Sequence, residues 1–265
     1  KTTSNWVDGS VKWVMLDFQR DVGSNSATDL VLGYGSDINK ENFSSSLSIE
    51  ETPDRITVNS GRLEVKIDRS GNCPISGILI DGERYVTAMK VLINGIDRDS
   101  YISEIFDPED VVIEENGPVH CVIRIGTNHS SSDGKYLFKS VFRIHVYAGL
   151  PYIRVDHTFI NDVTNSTFTE IRSMYLDIEA KQSDIRTTEW VQTHDNKCLI
   201  DGKTYNKRLS GKVEAAGLEM AVVDFWQQYP KSIRVDSKGI QFGVCPDIHV
   251  DDYSDTSDNE YKLYY

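Results

Sequence analysis

Basic residues are scarce in this chain: 28 Lys and Arg stand against 41 Asp and Glu, a formal net charge of −13. Nucleic acid and anionic membranes both need a positive footprint, so neither is expected as a partner. An anionic sugar stays open, because salt screens distant charge over roughly 10 Å and a local basic cluster can outweigh it. Long apolar runs are missing too, and no stretch approaches the ~18 residues of a membrane-spanning helix. Cysteine is sparse. Cys73, Cys121, Cys198 and Cys245 lie far apart with no CxxC pair, which argues against a metal cluster and a dense disulfide framework. Cys121 alternates with apolar neighbours in VHCVIRI and reads as a buried thiol. Helical periodicity is nearly absent, with a weak hint in SDINKENFSSSL (36–47). No secretory leader is recognisable, and both ends read as open strand patterns, so the chain is expected to be a fragment of a larger protein. Sequons at Asn42, Asn128 and Asn165 matter only in a eukaryotic secretory host.

What is present is alternation. With 265 residues, 39% of them hydrophobic and 10% aromatic, the chain can bury the core of one large β domain or two smaller ones. SVKWVMLDF, RITVNSGRLEVKIDRSG, GILIDGERY, DVVIEENGPVHCVIRIG, IRSMYLDIE, LEMAVVDFW and GIQFGVC all read as strands. Turn signals fall at Asn59-Ser60-Gly61 and Asp81-Gly82. Between Lys181 and Gly217 the pattern fades, which predicts a long irregular segment. The Ser-rich NFSSSLSIEETPD (42–54) predicts a boundary, dividing the chain into residues 1–48 and 49–265. The expected fold class is all-β.

YLFKSVFRIHVYAGLPYIRVDHTFIND predicts a hairpin around a four-residue turn, Ala148 to Pro151. Counting back from the turn, His145 faces Arg154 and Arg143 faces Asp156. Side chains alternate in direction, so Phe142, Ile144, Val146, Ile153, Val155 and Phe159 form one apolar face. Arg143, His145, Tyr147, Tyr152, Arg154 and Asp156 form the other. That polar ladder is either a face covered by another layer or a ligand surface. His157 falls on the apolar side and reads as a satisfied core histidine.

DFWQQYPKS (224–232) packs three aromatics beside two amides. Pro230 cannot donate to a central ladder, so the preceding strand ends or reaches an edge by Tyr229. Trp226, Gln227, Gln228, Tyr229 and Lys231 then lie on a strand-end loop. Either the indole stacks on a sugar while the amides bind hydroxyls, or Trp226 seals one end of the fold. The acidic run from Asp247 to Glu260 is read as a solvated loop or a Ca2+ site, although its spacing is not that of an EF-hand. No other metal set is expected.

Three phrases, DGSVKWVMLDFQ (8–19), YAGLPYIRVDHTFIN (147–161) and DFWQQYPKSIRVD (224–236), together resemble the N-terminal β region of the exo-rhamnogalacturonan lyase-like proteins. The resemblance implies a partial RIFT-type β-barrel over 1–48, a large antiparallel β-sandwich over 49–265, and an (α/α) toroid outside this chain. It implies a secreted, periplasmic or cell-surface polysaccharide lyase acting on rhamnogalacturonan, or on ulvan as related enzymes do, by β-elimination at a uronic acid. Such chemistry needs a group to neutralise the carboxylate, a base for the C5 proton and an acid for the leaving oxygen. Lys231, His194, Tyr229, His145 and Arg154 carry suitable groups, and Trp226, Gln227, Gln228, Tyr147, Tyr152 and Arg143 are candidates for sugar contact. The implied partners are an acidic polysaccharide or oligosaccharide and the toroid. Spacing assigns none of these roles, and this stretch alone is expected to be inactive. The competing expectation is a non-catalytic module for carbohydrate binding or domain packing.

Overall fold

The computed structural model describes residues 2–35, 37, 38, 44–181, 186–215 and 217–248, and the backbone of 261–264. Asn42, half of the 36–47 segment and the acidic run from His249 to Glu260 lie outside the described residues.

Alternating segments become strands. β1 (Thr2–Asn5) and β2 (Val11–Val14) form a two-stranded sheet of their own. SVKWVMLDF was expected to be strand throughout, yet only Val11–Val14 is, because β1 is the one strand β2 pairs with among the described residues. Trp13, Leu16 and Phe18 are exposed. β3 (Ser48–Glu51), β4 (Arg55–Asn59), β5 (Leu63–Asp68), β6 (Gly77–Ile80), β7 (Glu83–Gly95) and β8 (Ser100–Glu104) each pair antiparallel with the next. β9 (Val111–Asn116), β10 (His120–Ser130), β11 (Tyr136–Tyr147) and β12 (Ile153–Ile160) make a second meander. A short 3-10 turn, Pro108–Asp110, precedes it, with the Asp107 carboxylate accepting the Glu109 N–H.

β13 (Phe168–Ala180) lies antiparallel to β7. The expected irregular segment is corrected here: residues 186–215 carry β14 (Thr188–Gln192), β15 (Cys198–Ile200), β16 (Lys203–Tyr205) and β17 (Lys212–Ala215). Strands this short do not complete enough alternations to register in a sequence. β18 (Leu218–Ala221) pairs with β17, while β19 (Lys231–Asp236) joins β14 to β20 (Gly239–Cys245). β13 pairs with β20 and, nearer its start, with β21 (Tyr261–Tyr264).

Inward side chains of both meanders meet in one core. Ile56, Val58, Val65, Ile67, Ile123, Ile125, Phe142, Ile144 and Val146 are all fully buried in it. Each contributes roughly 1.5–3 kcal/mol through burial. Cys121 sits there as a free thiol, which burial pushes up to about 12. A smaller core gathers Phe225, Ile233, Val235 and Ile240 against Val213 and Ala215 of the β17–β18 hairpin. The chain is all-β, an antiparallel sandwich. Before it, the chain touches the sandwich near the β9–β10 turn, where the Gln19 amide donates to Val119 O at 3.4 Å and Ser45 Oγ to Pro118 O at 2.5 Å.

Candidate functional site

The sequence-derived candidates fall into two groups. The first lies on the outer face of β9–β12. The hairpin has the expected register, with His145 opposite Arg154 and Arg143 opposite Asp156. Its turn closes through Gly149 at φ 69° and a 3.3 Å bond from Leu150 N–H to Tyr147 O. Tyr147 and Tyr152 lie with ring centroids 5.4 Å apart. On the preceding strand, His120 opens β10 directly opposite Tyr147. Its ring stacks on Tyr147 at 4.7 Å and on His145 at 5.2 Å.

These rings form a chain of polar contacts. His120 Nε2 lies 3.0 Å from His145 Nδ1, and His145 Nε2 lies 3.2 Å from Asp156 Oδ2. Arg154 grips Asp156 with two bonds of 2.8 and 3.0 Å. Burial would raise the Asp156 carboxyl, but the Arg154 bonds and charge hold it below the usual range. Burial pulls His145 below the ordinary histidine value against the opposing attraction of Asp156. A register slip between Val122 and Ile123 makes Glu114 an extra residue in β9. Both consecutive glutamates therefore serve this face: Glu114 holds Arg143 through bonds of 2.6 and 3.0 Å, and Glu115 Oε2 lies 4.0 Å from His120 Nδ1. Each hairpin arginine thus already has its own carboxylate. A uronate would have to displace one of these carboxylates. Arg143→Ala is expected to change folding stability by less than about 1 kcal/mol in urea titrations, as for other exposed ion pairs.

The second group surrounds the loop between β18 and β19. The strand preceding it was expected to run to Trp226, but β18 stops at Ala221 and the chain turns at Asp224, whose φ is +54°. Phe225 anchors the turn in the smaller core, with 1% exposure. Trp226 is half-buried, with the Arg208 guanidinium 3.9 Å above its ring, a cation–π contact. Gln227, Gln228 and Tyr229 are exposed, and Tyr229 stacks with His194 at 6.0 Å. Lys231 points inward. Its Nζ donates to Val244 O at 2.6 Å and Pro230 O at 3.4 Å, and burial lowers it from the ordinary lysine value.

Lys231, Tyr229, His194, Trp226, Gln227 and Gln228 thus gather in one region, and His145, Arg154, Arg143, Tyr147 and Tyr152 in another. Among the described residues, no strand of one group pairs with a strand of the other. His120, Glu115, Asp17 and Arg208 escaped the sequence reading. His120 was within reach of it, since the β10–β11 register places it beside Tyr147. A separate groove lined by Glu51, Arg69, Pro108 and Glu109 involves no candidate residue.

Residues 47–186, more than half of the chain, match the family model described as PcRGLX-like protein central beta sandwich domain. The chain belongs to that family. The match spans β3 to β13 and contains the whole β9–β12 face, whereas the Trp226 loop lies beyond it. No curated protein matches the chain.

Proposed function

We propose that this chain is the β-sandwich part of a polysaccharide lyase that cleaves uronate-containing polysaccharide, of rhamnogalacturonan or ulvan type, by β-elimination. In this reading the Trp226–Lys231 loop is the part that meets the sugar. The supporting observation is the composition of that loop. A half-buried indole, two exposed amides and an exposed tyrosine stacked on the half-buried His194 stand beside a lysine whose affinity for its proton is reduced by burial. The same reading assigns residues 1–48 to a RIFT-type barrel, places a toroid after the sandwich and puts the protein outside the cytoplasm. The sequence alternative, a Ca2+ site in the acidic run, stays a proposal within it.

A second reading is a non-catalytic carbohydrate-binding or packing module. It is favoured by the backbone carbonyls that hold Lys231 Nζ and by Arg208, which covers one face of the indole. Elimination creates a C4–C5 double bond that absorbs in the far ultraviolet. Growth of that absorbance on pectic or ulvan substrates supports the lyase, and saccharide binding with no such growth supports the module.

The loop itself is tested by Trp226→Ala. Loss of a stacked sugar should weaken oligosaccharide binding by roughly 1–3 kcal/mol, by analogy with base–aromatic stacking. Folding stability should fall by much less than the 3–5 kcal/mol of a core tryptophan. Calorimetric titration and denaturant unfolding on the one variant read both quantities. Unchanged binding with a large stability loss would make Trp226 part of the core.

A further inference from the structure

We propose that Asp17, Glu115 and His120 bind a divalent transition-metal ion, with zinc as the best match, and that this ion clips the segment after β2 to the β9–β10 edge of the sandwich. This goes beyond the lyase reading and needs no polysaccharide. One oxygen of each carboxylate and one ring nitrogen of His120 lie within 4.8 Å of one another. His120 Nδ1 is 3.6 Å from Asp17 Oδ1 and 4.0 Å from Glu115 Oε2. Tetrahedral bonds of 2.0–2.1 Å put ligand atoms roughly 3.3 Å apart, so closure by up to about 1.5 Å completes three of the four positions. Asp17 is 42% exposed and free of strand pairing, which lets it make that movement.

The decisive atom is His120 Nδ1. His120 is 9% exposed, and this nitrogen is cut off from solvent without a hydrogen-bond partner among the described residues. Hydrogen bonding to the carboxylates does not explain it, because 3.6 and 4.0 Å exceed the 2.7–3.2 Å of an N–H···O bond. A metal does explain it. Coordination through Nδ1 requires the proton on Nε2, where His145 Nδ1 lies 3.0 Å away to accept it. The His145 proton then sits on Nε2, 3.2 Å from Asp156. Metal-bound histidines characteristically have this kind of oriented outer partner. One imidazole and two carboxylates suit zinc, whereas Ca2+ takes six to eight oxygens.

The test is calorimetric titration of chelator-stripped protein with ZnCl2 and separately with CaCl2. One zinc per chain is expected, with Asp17→Asn and Glu115→Gln each weakening it at least tenfold and CaCl2 giving no heat that depends on these residues. X-ray absorption of the zinc-loaded protein should show one imidazole and otherwise oxygen. His120→Ala removes a stacked ring and can disturb the sheet, so Asp17→Asn decides. Unchanged affinity in Asp17→Asn, or sulfur around the zinc, would overturn the site. For the clip, zinc should slow proteolysis within residues 20–35 in the parent protein but not in Asp17→Asn. Equal cleavage with and without zinc would overturn that part.

Discussion

Lowering the pH from 7 to 5 should destabilise this protein by about 2–4 kcal/mol through two histidines, His129 and His157. Both lie on the core side of the second meander, where burial pushes each down to about 4. Their hydrogen bonds admit one proton order. His129 Nδ1–H donates to Phe138 O at 2.9 Å, leaving Nε2 as an acceptor. His157 Nε2–H donates to Ser140 Oγ at 2.8 Å, and the Ser140 hydroxyl donates to His129 Nε2 at 3.4 Å. A further proton on His129 turns the Ser140 hydroxyl away from its acceptor. In the unfolded chain both rings titrate near 6.5. Between about 6.5 and 4 the unfolded state therefore binds more protons than the folded one. Stability is complete above that window, declines as the pH falls through it and levels off below it. Each ring accounts for up to about 2 kcal/mol at pH 5, with the smaller share from His157, which is partly exposed. Urea unfolding at pH 7.5, 6 and 5 measures the slope, and His157→Phe, which keeps a ring on Phe142, should flatten it. A flat profile in the parent protein would show that the charged rings find partners inside the fold.

How much of this could be read from sequence depends on distance along the chain. The β11–β12 hairpin was legible because a four-residue turn and a period of two decide every pairing from Lys139 to Ile160. The bulge that brings Glu114 and Glu115 to one face leaves no mark, since an extra residue looks like any other in an alternating run. Asp17 and His120 meet across a separation that no local pattern encodes. The strand before Pro230 does end by Tyr229, as its missing N–H requires. The earlier stop at Ala221 was hidden, because Val222 and Val223 continue the apolar pattern while a left-handed Asp224 ends the strand. Arg208 over Trp226 is likewise a long-range contact, and it covers a face of the indole that the sequence left open.

On the lyase reading proposed above, Lys231→Met is expected to reduce double-bond formation roughly 100- to 10,000-fold, the usual contribution of a positioned general base. A neutral amine has two N–H groups, and Lys231 Nζ has two carbonyl acceptors, Val244 O and Pro230 O. On that reading the lone pair would be left for the C5 proton, and burial shifts the balance towards the neutral form. Activity should therefore rise with pH through the lowered lysine range and be lost below it. Tyr229, stacked with His194 next to the same proline, is the matching candidate for the acid that protonates the leaving oxygen. Removing the amine takes its donor from the carbonyl of the half-buried Val244, a cost of about 1–3 kcal/mol in stability. Kinetics on the folded fraction separate the two effects. A variant that keeps its rate per folded molecule would show that the lysine only ties β19 to β20. The loop would then bind sugar without taking part in the elimination.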